Sequence, residues 1–122
     1  MIVEGSEVHN EAIENMLSAI LKEFAPMFKI AYAIFLNDIP PHKRILIIRF
    51  YESSPEERFK LLLDFITLLP LIPLDVYDYT SIPIDLARYI HKYGKAIYVG
   101  NYDLYAEDFE KMMSSRISYH EN

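Results

Sequence analysis

Cysteine is absent from the chain, which excludes a disulfide framework, a thiolate metal site and a cysteine nucleophile. Tryptophan and glutamine are missing too, and a shortage of heat-labile side chains points to a thermophilic source. Only three glycines occur, too few for a phosphate-cradling loop, and no serine stands in a G-x-S-x-G elbow. Long apolar runs are lacking. The longest stretch without charge, Phe65 to Leu74, carries two prolines and is half the length of the roughly 20 apolar residues that a bilayer span needs. Glu4, Glu7 and His9 stand where a signal peptide would carry its apolar segment, so none is expected and the protein is placed in the cytoplasm. Positive charge is the scarcer sign. With 12 basic against 18 acidic residues the net charge is −6, opposite to that of a protein gripping phosphate backbones, so neither nucleic acid nor a membrane is expected as partner. The four histidines, His9, His42, His91 and His120, form no i, i+3 or i, i+4 pair. They are read as surface residues, and no metal or cofactor is expected.

What is present suits one globular domain over residues 1–122. The chain is 52% hydrophobic and 25% charged, enough apolar material to bury a core. After a loose start, Ile13, Met16, Leu17, Ile20, Leu21 and Phe24 recur at helical spacing, predicting a helix over Asn10 to Pro26, which the proline ends or bends. Ile30 to Leu36 is a short apolar strand. Arg44 to Tyr51 is another, and its run Ile45-Leu46-Ile47-Ile48 marks a strand covered on both faces. Ser53-Ser54-Pro55-Glu56-Glu57 is a helix start, with a serine cap, proline in the first turn and acids to complement the dipole. Leu74 to Tyr79 reads as a third strand. Ser81 and Pro83 open a helix whose C′ residue is Gly94. Lys95 to Val99 is a fourth strand, and Asp103 to Ile117 a last helix. The order α-β-β-α-β-α-β-α predicts a mixed α+β fold, with a sheet of about four strands and helices mainly on one face.

Leu74-Asp75-Val76-Tyr77, the helix Ile84 to Tyr93, Gly94-Lys95-Ala96-Ile97-Tyr98 and the acidic, aromatic helix after it resemble the minimal nucleotidyltransferases of the polymerase-β superfamily. The first half fits that family by layout. The resemblance implies a nucleotidyltransferase-like fold and a site where Asp-x-Asp on one strand and a third Asp from its neighbour hold two Mg²⁺ ions. A Gly-Ser turn upstream would admit the triphosphate. Mg²⁺ takes hard oxygen ligands in octahedral geometry, and two ions clamp the attacking and leaving oxygens. The turn here reads Phe35-Leu36-Asn37-Asp38, and His42-Lys43-Arg44-Ile45 contains no carboxylate. Only the third position matches, as Asp75, a relic metal position.

Each candidate has a plainer reading. Asp75 could be a strand-edge carboxylate paired with a nearby Lys or Arg, and Asp38 an Asx-turn residue before Pro40-Pro41. Lys43, Arg44 and Arg49 could hold a nucleotide phosphate, or be solvated charges paired with Glu52, Glu56 or Glu57. The tyrosines crowd between Tyr77 and Tyr105. Tyr89, Tyr93 and Tyr98 are read as the core part of this set, while Tyr79, Tyr102 and Tyr105, with polar neighbours, suit an exposed interface. Asp103, Glu107 and Asp108 around Tyr102 and Tyr105 fit a basic partner or the basic face of a second copy. The expectation is a catalytically inactive protein acting by protein–protein binding. Because minimal nucleotidyltransferases commonly partner HEPN-domain proteins, the resemblance implies an antitoxin-like role or a homodimer. The alternative is a nucleotide-binding protein, or a transferase with a pocket reworked around Asp38, Lys43, Arg44 and Asp75.

Overall fold

The computed structural model describes residues 2–39 and 43–121, with side chains over 10–37 and 43–114. Helix α1 (Ile2–Phe24) leads through a 3₁₀ turn (Ala25–Phe28) into strand β1 (Ile30–Ile39). Strand β2 (Lys43–Phe50), helix α2 (Pro55–Ile66), strand β3 (Asp75–Asp78) and a 3₁₀ turn (Tyr79–Ser81) follow. Helix α3 (Ile84–Tyr93), strand β4 (Lys95–Val99) and helix α4 (Tyr102–Glu121) complete the order. The first helix thus starts at Ile2, where a loose lead was expected.

The sheet order is β3-β2-β1-β4. β1 pairs antiparallel with β2 (Ala33 opposite Ile48) and with β4 (Tyr32 opposite Val99), while β2 pairs parallel with β3 (Ile45 opposite Asp75). This is the mixed four-stranded α+β fold expected, with Lys95–Val99 at an edge. The helices, however, do not gather on one face. Strand alternation sends Ala33, Phe35, Leu46, Ile48 and Phe50 toward Ile13, Leu17 and Leu21 of α1 and Phe65 of α2. It sends Tyr32, Ile34, Ile45 and Ile47 toward Ala87 and Ile90 of α3, with Leu104, Tyr105 and Met112 of α4 against them. β1 and β2, central in the sheet, are apolar on both sides and so need a cover on both.

Local chemistry sets the boundaries. Ser54, in an extended conformation, accepts the Glu57 N–H on its Oγ at 3.1 Å, and Pro55 opens α2 as anticipated. Lys29 ends the 3₁₀ turn in the left-handed region, φ 56°. Gly94 ends α3 differently from the expected left-handed cap: its backbone is extended. Glycine is needed there because a Cβ would stand 2.5 Å from Ile34 Cγ2 and 2.6 Å from the Ile90 carbonyl. The helix end is pressed against β1.

Candidate functional site

At one end of the sheet β2 and β3 begin side by side. Lys43 Nζ lies 3.8 Å from Asp75 Oδ2, both side chains about half exposed, so Asp75 has a cationic neighbour as the plainer reading held. Arg44, one residue on, points to the opposite face, where its Nε donates to Asn10 Oδ1 at 2.8 Å. Lys43, Arg44, Pro73, Leu74 and Asp75 line a hollow of about 220 Å³. The register of β1 with β2 brings the backbone of Asp38 to this same end, though its side chain lies outside the described residues, as does all of His42. Arg49 does not join the cluster, and no ion pair links it to Glu52, Glu56 or Glu57. Glu57 instead takes Lys29 at 2.6 Å.

Arg49 belongs to a polar network sealed between the sheet and α3–α4. Asp108 of α4, 4% exposed, accepts from the Tyr32 hydroxyl and from Arg49 Nε, each at 2.8 Å. Arg49 also donates Nη1 to the Phe50 carbonyl at 2.7 Å and lies over the Tyr79 ring. The Tyr79 hydroxyl meets His91 Nε2 at 2.8 Å, while His91 Nδ1 is buried without a hydrogen-bond partner among the described residues. The rings of Tyr32, Tyr79, His91, Tyr105 and Phe109 pack around one another, mostly edge to face. Several expectations are corrected here: Tyr89 and Tyr93, read as core, are 44% and 60% exposed. Tyr79 is buried at 8% exposure, because the Asp78-capped 3₁₀ turn rotates it inward, so it is no surface anchor. His91 is buried as well, at 5%.

Burial governs the electrostatics. It pushes the Tyr32 hydroxyl far above the tyrosine range, with the Tyr79 and Asp108 oxygens adding to the effect. Burial, then the Asp108 charge, takes Tyr79 up to about 12. For His91 burial lowers the pKa below the ordinary value, against the pull of Asp108. Burial alone would lower Arg49, but the Asp108 hydrogen bond and charge outweigh it. At neutral pH the tyrosines and His91 are therefore uncharged, and the ion pair of the network is Arg49 with Asp108 at 2.8 Å. With Tyr32 fully buried, this arrangement clasps α4 to the sheet and is closed to substrate. A smaller clasp of the same type ties α2 to β3: Asp78 accepts from Arg58 Nε at 2.9 Å and from the Thr80 N–H at 3.0 Å.

The sequence places Asp108 among the acids of an exposed rim and His91 at the surface, both corrected by their burial, and gives Tyr32 no role. Helical spacing nevertheless held a signal for the first two. His91 stands in the stripe Ala87-Ile90-His91, and Asp108 in the stripe Leu104-Asp108-Met112. A polar residue in an apolar stripe needs a buried partner.

On its outer side α4 carries an apolar groove of about 470 Å³, lined by Tyr102, Tyr105, Ala106, Phe109, Glu110 and Met113. Tyr102 is 74% exposed. Tyr105 is half-buried, its ring against Tyr32 on one side and Tyr102 on the other.

No protein-family model and no curated protein matches this sequence. Among solved structures, the chain is similar to the antitoxin of the MntA–HepT toxin–antitoxin complex, with TM-score 0.61 and 15% identity over 89% of this chain and 88% of that one. It is similar also to the complex of a tri-AMPylated Shewanella oneidensis HEPN toxin with MNT antitoxin, with TM-score 0.62 and 15% identity over 89% and 87%. A toxin–antitoxin structure with AMP-PNP gives TM-score 0.60 and 15% identity over 87% and 88%. The fold is nucleotidyltransferase-like. Identity this low carries the fold and leaves the chemistry to the residues. A nucleotidyltransferase-like fold that works through Mg²⁺ needs several hard oxygen ligands converging on the ions. Among the described residues no three of His, Cys, Asp or Glu converge to hold a metal, and Asp75 is accompanied by the Lys43 ammonium. The residues described at this corner do not fit the two-ion site that the sequence resemblance implies.

Proposed function

We propose that this protein is a nucleotidyltransferase-like binding protein that has lost nucleotidyl transfer and acts as the antitoxin-like partner of a HEPN-type protein. The observation that carries this reading is the pairing of two facts. The fold matches those antitoxins over almost nine-tenths of the chain, while the corner where catalysis would sit offers Asp75 beside a lysine. An ammonium there opposes a divalent cation instead of sharing its coordination. Selection for a partner surface would maintain such a chain without the metal ligands. The chain acts as one domain.

The test has two arms. Co-expression with HEPN-type proteins, followed by purification through a tag on either chain, is expected to recover a complex. Incubation with labelled ATP, GTP or UTP, Mg²⁺ or Mn²⁺ and the same HEPN-type proteins is expected to leave nothing labelled. Labelling lost on Asp75→Ala would show instead that the corner is a working active site. A second reading, in which Lys43 and Arg44 hold a nucleotide in the hollow beside Asp75 without metal, is favoured by the AMP-PNP in a structure of similar fold. Calorimetric titration of ATP and GTP with and without Mg²⁺ separates the two, since the first predicts no heat.

A further inference from the structure

α4 has more apolar surface than the sheet uses. Leu104, Tyr105, Asp108 and Met112 form the stripe that meets the sheet and α3. The groove residues Tyr102, Tyr105, Ala106, Phe109 and Met113 recur at i, i+3, i+4, i+7 and i+11, a second stripe turned toward solvent. Beyond it, on the side away from the sheet, the helical period places Asp103, Glu107 and Glu110, all exposed. The helix thus presents an apolar channel with an acidic wall, and the Asp108 clasp fixes it against the sheet.

We propose that this groove receives a basic amphipathic helix of a partner protein. The inference rests on the partner-binding reading above and names the surface and the chemistry it recognises. A helix laid along α4 would place aliphatic anchors at i, i+3/i+4 and i+7 between Tyr102, Phe109 and Met113, the usual geometry of a helix in a groove. Lysines or arginines along its flank would meet Asp103, Glu107 and Glu110. Charge selects this occupant over a second copy. Two α4 helices face to face would bring their own acids together, in a chain whose net charge is already −6, and like-charge juxtaposition disfavours such pairing. Rigid aromatic side chains beside a charged rim are the composition expected of a binding hot spot.

The probe is a synthetic Leu/Lys amphipathic helix, with its Leu/Glu counterpart as control, titrated into the full chain and followed by fluorescence anisotropy. Saturable binding of the Leu/Lys helix is expected, with none by the Leu/Glu helix. Tyr102→Ala combined with Phe109→Ala should weaken it at least tenfold, the scale of a hot-spot truncation. Phe109 touches the His91 ring, so circular dichroism accompanies that variant. Glu107→Lys with Glu110→Lys leaves the packing alone and should weaken the Leu/Lys helix by a similar factor. Substituting the exposed Phe59 and Leu71, on other elements, should change nothing. Absent binding, or binding indifferent to both α4 variants, overturns the groove. Dimerisation on sedimentation that the Tyr102/Phe109 variant abolishes also overturns it, in favour of a second copy. If a HEPN-type protein is still captured by both α4 variants, the groove is wrong while the partner reading stands.

Discussion

Arg49 and Asp108, 59 positions apart in the chain, meet at 2.8 Å with side chains only 16% and 6% exposed. Removing one member leaves the other charge buried and uncompensated. Asp108→Leu or Arg49→Met should each cost about 3–5 kcal/mol, as for other broken buried pairs. The double variant Arg49→Met/Asp108→Leu should recover part of that loss, because both charges are then gone. The Tyr32 hydroxyl would still lack its acceptor. Urea unfolding of the four species as a double-mutant cycle measures the coupling.

The Lys43–Asp75 pair supplies the contrast. At 3.8 Å with both side chains about half exposed, it is screened by water. Asp75→Ala or Lys43→Ala should alter stability by no more than about 1 kcal/mol. Thermal melts at low and high salt check this. A larger loss would mean that the corner is more enclosed than these exposures indicate.

Gly94 tolerates no side chain. In Gly94→Ala the new methyl would press on Ile34 and on the Ile90 carbonyl, and the latter is backbone that cannot swing away. The variant should lose about 1–3 kcal/mol by overpacking. The paired substitution Gly94→Ala/Ile34→Leu, which lacks the clashing Cγ2 methyl, should be only partly better, since the Ile90 carbonyl remains. Differential scanning calorimetry decides.

Acid should loosen the α3–α4 layer. The folded-state pKa of His91 lies below its ordinary value of 6.5, through burial opposed by Asp108. As pH falls through that ordinary value, the unfolded chain takes up the proton first. The stability from a neutral His91 is therefore complete above about pH 6.5 and declines below it. Replacing both members of its hydrogen bond, His91→Leu with Tyr79→Phe, should flatten the stability–pH curve between pH 7 and 5 relative to the parent chain. Denaturation midpoints at closely spaced pH values measure the slope. An unchanged slope would show that carboxylates alone set the acid response.

Legibility in the sequence followed how local the cause was. The Ser54 cap, the buried run Ile45–Ile48 and the strand Lys95–Val99 each depend on residues adjacent in the chain, and each stands where the pattern placed it. Tyr79 was read as exposed because Asp78, Thr80 and Ser81 surround it in sequence. In space those polar groups bond to one another and to Arg58, leaving the ring free to turn inward. Asp108 looked like its neighbours Asp103 and Glu107, and nothing local distinguishes it from them. Its difference is Arg49 and Tyr32, both contributed by distant strands. The two-sided placement of the helices was half visible. An apolar run like that of β2 demands two covers, and helix order alone does not say which helix supplies which.

The position of β1 has a consequence in time. It is made before β4, which closes one of its sides, and before Asp108, which accepts its Tyr32 hydroxyl 76 residues downstream. At a synthesis rate of about 5–20 residues per second, that separation is a wait of roughly 4–15 s on the ribosome. Throughout it, an apolar strand edge and a tyrosine without its cover or its acceptor await their partners. During that interval the nascent chain is exposed to mispairing, and the α4 groove does not yet exist. A partner that reads that groove would engage only copies in which α4 has closed over β1.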